Sequence, residues 1–121
     1  MPRVHTSFDA SAVAFERDDR LEAQSLVLAE HRDGSGRWLE VQRPMQVGEQ
    51  DVALGHDRYC LVTEEQTTHY GGVLAWRIEG STLHLELTEE ASRAIGASGF
   101  RITLPKSERS MVQRALLMLL V

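Results

Sequence analysis

Cys60 is a candidate catalytic nucleophile, because a histidine and a carboxylate, His56 and Asp57, lie close to it in the chain. A cysteine nucleophile needs a base within hydrogen-bond reach and a carboxylate that orients the base. Cys60 nevertheless lies between Tyr59 and Leu61 in an apolar run, where a cysteine typically acts as a small buried hydrophobe. The pattern therefore favours a structural role, and a catalytic role for Cys60 is the weaker alternative.

Histidines and paired carboxylates are the other candidates for metal binding and acid–base chemistry. The five histidines fall in no zinc-binding pattern and no helical i, i+4 spacing: His5, His31, His56, His69 and His84. Adjacent carboxylates occur at Asp18-Asp19, Glu64-Glu65 and Glu89-Glu90. Catalytic carboxylates face each other across a cleft, an arrangement that neighbours on a turn or helix start do not give. We therefore expect no catalytic residues, no metal site and no cofactor.

Glycines and aromatic residues offer two further candidate sites. No phosphate-loop or dinucleotide-binding pattern surrounds Gly71-Gly72, which predicts a bulge or a close backbone approach rather than a ligand site. Large aromatic side chains concentrate binding energy at protein interfaces, but in a small β-rich domain they more often line the core. A core position is therefore the favoured interpretation, and an interface anchor the alternative, for Trp38, Tyr59, Tyr70 and Trp76.

The first half of the chain reads mainly as strands. Strand-like composition predicts strands at Ala12–Arg17, Glu22–His31 and Arg37–Arg43. Asp33-Gly34-Ser35-Gly36 tolerates positive φ and predicts a hairpin turn between the second and third strands. Pro44 ends the third strand, and Pro44–Asp57 is predicted to be a loop with one short helix at Glu49–Leu54.

The second half alternates strands with two helices. Strands are predicted at Arg58–Glu64, Tyr70–Glu79, Thr82–Leu87 and Gly99–Leu104, with an exposed loop at Glu65–His69 and a tight turn at Gly80-Ser81. Thr88 is placed to cap a two-turn helix that Gly96 ends. Pro105 breaks the last strand, and Ser107 can cap a final helix that runs to about Leu119.

These elements predict an α+β fold in which an antiparallel meander of about six or seven strands packs against a C-terminal helix and one short helix. The length of 121 residues and the 42% content of hydrophobic residues suit one domain over residues 1–121 with its own core. The chain carries no repeat and no low-complexity linker.

Charge and cysteine content narrow the class of function. Thirteen Lys and Arg against eighteen Asp and Glu give a net charge of −5, which argues against nucleic acid as a partner and favours a basic protein. The single cysteine fits a reducing compartment. Met1–Phe8 is too short and polar for a signal peptide, and the chain has no run apolar enough to span a membrane. We therefore expect a cytoplasmic location and no membrane partner.

Two motifs resemble the Immunity protein 10 family of bacterial polymorphic toxin systems. They are Leu54-Gly55-x-Asp57-x-Tyr59, within Gln50–Tyr59, and Tyr70-Gly71-Gly72 before Val73. The order of the surrounding strands and helices is also similar from Leu26 onward. Two positions depart from the pattern: His56 stands where an apolar residue is expected, and His69 stands where a glycine is expected.

The resemblance implies a cytoplasmic antidote that binds a toxin domain and blocks it without chemistry of its own. Our first hypothesis is therefore an immunity protein that occludes its cognate toxin. Acidic and aromatic residues clustered around two loops would form the toxin-binding face: Asp51, Asp57, Glu64, Glu65, His69 and Tyr70. The alternatives are a small enzyme that uses Cys60 or a histidine, and a self-associating protein that forms a homodimer through the apolar segment Leu116–Val121 of the C-terminal helix.

Overall fold

The computed structural model describes residues 4–20, 22–45, 49–53 and 58–120, without the side chains of residues 51 and 52. Nine strands lie within these residues: β1 (His5–Asp9), β2 (Ala12–Asp18), β3 (Ala23–Ala29), β4 (Trp38–Pro44), β5 (Cys60–Thr63), β6 (Thr68–Tyr70), β7 (Val73–Glu79), β8 (Thr82–Leu87) and β9 (Gly99–Thr103). The helices are α1 (Glu49–Ala53), α2 (Glu89–Ile95) and α3 (Arg109–Leu119), and a 3-10 turn at Lys106–Glu108 precedes α3.

The strands form two sheets rather than the single meander of six or seven strands that the sequence predicted. One sheet is antiparallel, with the order β2-β3-β4-β5-β6. The other has the order β1-β9-β8-β7, in which β1 pairs in parallel with β9. The α+β class is confirmed, whereas the strand number and the single meander are wrong.

The two sheets and the helices contribute to one hydrophobic core. Leu39 and Leu61 from the five-stranded sheet are fully buried in it, as are Leu83 and Ile102 from the four-stranded sheet. Helix α3 adds a stripe at helical spacing: Val112, Ala115, Leu116 and Leu119. Each fully buried Leu or Ile contributes roughly 1.5–3 kcal/mol. The core therefore fixes which face of each sheet points inward.

The helix ends confirm one predicted cap and correct another. Thr88 Oγ1 accepts a hydrogen bond from the backbone N–H of Ala91 at 3.2 Å, and Gly96 ends α2 with φ +88°. Ser107 does not cap α3, because it lies within the 3-10 turn, and α3 begins at Arg109 without a side-chain cap. Pro105 follows the end of β9, as predicted, but the backbone then enters α3 through the 3-10 turn at Lys106–Glu108.

Gly71-Gly72 divides the segment predicted as one strand over Tyr70–Glu79. Both glycines have positive φ, +71° and +99°, and they carry the chain from β6 in one sheet to β7 in the other. The predicted close approach is confirmed, since a Cβ on Gly72 would lie 2.6 Å from Ala91 Cβ. Part of the loop predicted at Glu65–His69 is strand β6.

The remaining predicted strands and the short helix α1 agree with the structure to within two residues at each end. The hairpin turn between β3 and β4 is also confirmed: Asp33 accepts hydrogen bonds from the Ser35 amide at 2.9 Å and hydroxyl at 2.6 Å, while Gly34 and Gly36 have positive φ. These hydrogen bonds from Ser35 lower the pKa of Asp33. Within the described residues, no helix is both long and apolar enough to cross a membrane.

Candidate functional site

The five-stranded sheet has one face on the core and one face directed away from it. The register places Leu26, Val41 and Leu61 side by side on the inner face. The next row points the other way and consists of Ala14, Val27, Glu40, Val62 and Thr68. No residue of this second row belongs to the core cluster. We call this side of the sheet the outer face.

Glu40 lies at the middle of the outer face and is half-buried. Burial raises the pKa of Glu40 above its ordinary value of 4.5, a hydrogen bond with Ser25 partly opposes the rise, and the charge of Glu16 adds to it. Among the ion pairs of the described residues, none involves Glu40. The outer face therefore carries a partly desolvated carboxylate that forms no ion pair with a cationic side chain of the described residues.

Cys60 lies on the same outer face, between Gln42 and Tyr70 in the sheet register. Its side chain is buried, as predicted, and its Sγ lies 3.8 Å from the Gln42 Oε1 that accepts its hydrogen bond. Desolvation and the nearby Glu40 charge raise the pKa of Cys60, which favours the unreactive thiol. His56 and Asp57, the predicted partners of a nucleophilic Cys60, lie outside the described residues.

The turn between β5 and β6 holds the two adjacent carboxylates Glu64 and Glu65. Glu64 Oε1 accepts a hydrogen bond from the backbone N–H of Trp38 at 3.1 Å, which fixes this carboxylate beside the start of β4. Glu65 is exposed. Gln66 follows with φ +62° and donates its backbone N–H to the Thr63 carbonyl at 2.8 Å, so the turn is tight. Glu65 thus projects into solvent while Glu64 is held against the sheet.

His69 and Tyr70 are adjacent in the chain and therefore point to opposite faces of β6. His69 is on the inner side, with its Nδ1 3.3 Å from the Gly71 carbonyl oxygen and close to Gly72. Tyr70 is 39% exposed on the outer face. The structure thus places Tyr70 on the outer face near Gln42 at the end of β4, holds Glu64 at the opposite end, beside Trp38, and turns His69 toward α2. The Asp51 side chain and Asp57 lie outside the described residues.

The aromatic residues assigned to the core divide into two pairs. Tyr59 and Trp76 pack against the core cluster. Trp38 and Tyr70 are absent from the cluster and lie on the outer face, so the core assignment is wrong for them. Sequence periodicity did not separate the pairs, because it cannot tell which sheet face will remain uncovered.

Three of the family-motif residues link the two sheets. The Tyr59 hydroxyl accepts a hydrogen bond from the Val73 N–H at 2.9 Å, and the Gly71 N–H donates to the Tyr59 carbonyl at 2.8 Å. The Gly72 carbonyl accepts from the Thr88 N–H at 2.9 Å, at the start of α2. These contacts give Tyr59, Gly71 and Gly72 a structural role. Leu54, Gly55 and Asp57 of the other motif lie outside the described residues.

A second polar cluster, which the sequence did not predict, lies on the exposed face of the four-stranded sheet. His5 Nε2 is 2.9 Å from both carboxylate oxygens of Glu86. Gly99 lies between them in the register, and its missing side chain leaves room for the imidazole. In the part of the chain that the structure describes, no group of three or more His, Cys, Asp or Glu residues could hold a metal ion.

Comparison with known proteins identifies one family. The family model for Immunity protein 10 matches residues 9–112 of the 121-residue chain. No curated protein and no solved structure shows a significant match. The match extends from the end of β1 into α3 and so includes most of both sheets. The chain therefore belongs to the Immunity protein 10 family.

Proposed function

We propose that the chain is an immunity protein that binds its cognate polymorphic toxin domain in the bacterial cytoplasm and neutralises it by stoichiometric occlusion, without chemistry of its own. The observation that carries this proposal is the family match over residues 9–112. The buried Cys60 thiol, whose pKa is raised, supports an inhibitor over an enzyme. The lone cysteine supports a reducing compartment.

The proposed partner is a basic protein domain. The net charge of −5 favours association with a cationic surface, since complementary fields raise the rate of encounter and orient the partner. We place the contact at the β5–β6 turn and the adjoining outer face. The residues proposed to meet the toxin remain those named from the sequence: Asp51, Asp57, Glu64, Glu65, His69 and Tyr70. Of these, Glu65 and Tyr70 are exposed among the described side chains.

The test starts with the purified chain as bait on lysate of its source bacterium, at low and then moderate salt. We expect near-equimolar recovery of the basic C-terminal domain of a large exported protein, and loss of its toxic activity when the chain is added in equimolar amount. A recovered domain that stays fully active in the complex contradicts neutralisation. Recovery of the bait alone, where such a toxin is shown to be expressed, contradicts the proposal.

Charge reversal tests the binding face. Glu64→Lys with Glu65→Lys should weaken toxin binding by about tenfold or more, because two attractive charges become repulsive. Asp9→Lys with Glu79→Lys is the matched control, since both residues are exposed on the other sheet and the change in net charge is the same. Equal affinity of the two double variants, measured by titration calorimetry, would remove the β5–β6 turn from the interface.

Self-association is a second candidate function, and one observation favours it. Leu117 and Met118 are adjacent on α3 and are 59% and 51% exposed. Apolar side chains on an exposed helix face can pair across a two-fold axis. Sedimentation velocity tests this: a dimer that Leu117→Arg dissociates supports a homodimer through α3, whereas a monomer at every concentration contradicts it.

A further inference from the structure

Among the described residues, the outer face of the five-stranded sheet meets another element only at its β2 edge, where Pro105, Ser107 and Glu108 line a groove together with Ala14 and Val27. Helix α3 packs on the opposite side of the sheet, where Arg43 Nη1 donates a hydrogen bond to the Leu119 carbonyl at 3.1 Å. The core cluster contains apolar inner-face residues of this sheet, such as Leu26, Val41 and Leu61, and none of the outer-face residues. The five strands thus present a surface that, in the described part of the chain, contributes nothing to the core cluster.

The side chains on this surface combine apolar contacts with charge of one sign. Val27, Val62 and Trp38 project outward from β3, β5 and β4. Of the Asp, Glu, Lys, Arg and His side chains on the described strands of this sheet, those that point outward are all acidic: Glu16, Asp18 and Glu40. The basic strand residues Arg17 and Arg43 belong to the inner face. An apolar surface with only acidic strand charges is complementary to a partner that carries cations among apolar groups.

A groove gives this surface a defined shape along β2 and β3. It has a volume of about 570 Å³, with Ala14, Val27 and Glu16 among its lining residues. His31 and Arg32, from the β3–β4 connection, also line it and lie near the Ala12 end of β2. Glu108 of the 3-10 turn is a second acidic lining residue. Glu16 lies four residues along β2 from the Ala12 end, so a cationic group is favoured near Glu16 rather than beside Arg32.

We propose that the outer face docks the toxin domain by receiving an arginine side chain between Glu16 and Glu40, with Val27, Val62 and Trp38 packing against apolar groups around it. This inference rests on the proposed function and names a surface beyond the β5–β6 turn. Arginine suits the position because its guanidinium is weakly hydrated, pairs with carboxylates in a planar geometry and stacks on aromatic rings. A second copy of this chain is disfavoured, because its outer face carries the same negative charge.

Glu40 provides the energetic reason for a cationic occupant. Its half-buried carboxylate has lost part of its hydration and faces the like charge of Glu16. A guanidinium that inserts between the two carboxylates replaces the lost hydration and converts a repulsion into two attractions. The two carboxylates are therefore more stable in a complex with a bound guanidinium than in the free chain.

The first experiment uses a defined probe, so that it does not depend on the identity of the toxin. A short peptide that alternates arginine and valine, blocked at both ends, is added to the ¹⁵N-labelled chain and followed by NMR. We expect chemical-shift changes at the amides of β2, β3 and β4, and at least about tenfold weaker binding to Glu16→Gln with Glu40→Gln. Asp9→Asn with Glu79→Gln, on the other sheet, is the matched control and should bind like the wild type.

Three outcomes would overturn the inference: no binding of the peptide, shift changes that are equally large on β7–β9, or equal affinity of the Glu16/Glu40 variant. Affinity and neutralisation measurements with the toxin domain captured by the bait experiment distinguish this inference from the proposed function. A wild-type chain that neutralises the toxin, together with a Glu16/Glu40 variant of unchanged affinity, removes the outer face and leaves the proposed function standing. A wild-type chain that neutralises no toxin contradicts the proposed function itself.

Discussion

Gly72 occupies the point where the chain leaves one sheet for the other, and both its conformation and its neighbours exclude a side chain. Its φ is +99°, and a Cβ there would lie 2.6 Å from Ala91 Cβ and 2.9 Å from His69 Nδ1. We predict that Gly72→Ala lowers the free energy of unfolding by about 2–4 kcal/mol, the sum of left-handed strain and overpacking. Gly80→Ala is the control, because Gly80 has φ +62° with open space around it, and it should cost about 1–2 kcal/mol.

Urea unfolding of the Gly72→Ala and Gly80→Ala variants separates the effect of backbone strain from the effect of overpacking. Equal losses of stability would show that the contact with α2 is relaxed and that strain alone matters. A larger loss for Gly72→Ala supports a structural role for the Tyr70-Gly71-Gly72 motif, as a joint between the sheets rather than as a toxin contact.

Glu40 gives a pH dependence whose sign follows from its environment. Its pKa is raised in the folded chain by burial and by Glu16, so its contribution to stability is fully present at low pH and is lost as pH rises through the folded-state pKa. We predict that Glu40→Gln is more stable than the wild type at pH 7, by only about 0.3–0.5 kcal/mol because the half-exposed site is screened. The difference should shrink toward about pH 3, below the ordinary pKa of a glutamate.

Chemical denaturation across this pH range tests the Glu40 prediction, with Glu65→Gln as the exposed control. Two other titratable groups lie near Glu40: Glu16, whose charge adds to the raised pKa of Glu40, and Cys60, which stays protonated throughout the range because its own pKa is raised. A Glu40→Gln variant that is less stable than the wild type at neutral pH would mean that the carboxylate is compensated in the free chain.

The Cys60 thiol should react slowly in the native protein. Its side chain is 6% exposed and its pKa is raised by desolvation and by Glu40, so both access and the thiolate fraction are low. We predict that a disulfide reagent labels the native chain at least about a hundredfold more slowly than the urea-unfolded chain, and that Cys60→Ala leaves toxin neutralisation unchanged. Rapid native labelling together with loss of function in Cys60→Ala would restore the nucleophile hypothesis.

Of the two helix caps that the sequence predicts, only one forms in the structure, and its contribution to stability can be measured. Thr88 Oγ1 accepts the Ala91 N–H, whereas Ser107 lies in the 3-10 turn and caps no helix through its side chain. We predict that Thr88→Ala lowers stability by about 1 kcal/mol and that Ser107→Ala changes it by less than about 0.5 kcal/mol. A loss for Ser107→Ala as large as that for Thr88→Ala would show that the sequence-based cap is the correct one.

Local patterns predicted the elements whose partners are close in sequence. The β3–β4 hairpin, the Leu83/Leu85/Leu87 alternation of β8 and the Thr88 cap each carry their signal within a few residues. Strand β1 escaped prediction because it pairs in parallel with β9, more than ninety residues away, and Phe8 is its only buried residue. Strand β6 escaped because it has three residues and two of them are exposed.

The sequence predicted the exposure of part of the proposed toxin-binding face, but not the geometry of the sheet surface beside it. Acidic and aromatic residues near the β5–β6 turn were named from clustering in the chain, and Glu65 and Tyr70 are indeed exposed. The central position of Glu40 was not foreseen, because it depends on which face of a five-stranded sheet the core leaves uncovered. A single strand shows alternation, but only the packing of α3 and of the second sheet decides which of its two faces is buried.

At the scale of the whole molecule, charge should govern the rate at which the toxin binds. The net charge of −5 and the acidic outer face would attract a basic domain before the two proteins touch. Salt weakens this long-range attraction, because the Debye length falls from about 30 Å at ~0.01 M to about 10 Å at ~0.1 M. We predict that the association rate constant falls by about tenfold or more as ionic strength rises through this range and beyond, while the dissociation rate changes less.

Stopped-flow mixing of the chain with the captured toxin domain measures this dependence. The Glu16→Gln, Glu40→Gln double variant should show a shallower dependence on salt than Asp9→Asn with Glu79→Gln, although both remove two negative charges. The reason is that charges inside the docking face act on the partner at contact distance, whereas charges on the other sheet act through solvent. Identical slopes would mean that net charge alone steers the encounter, and an association rate independent of salt would mean that apolar contacts carry the recognition.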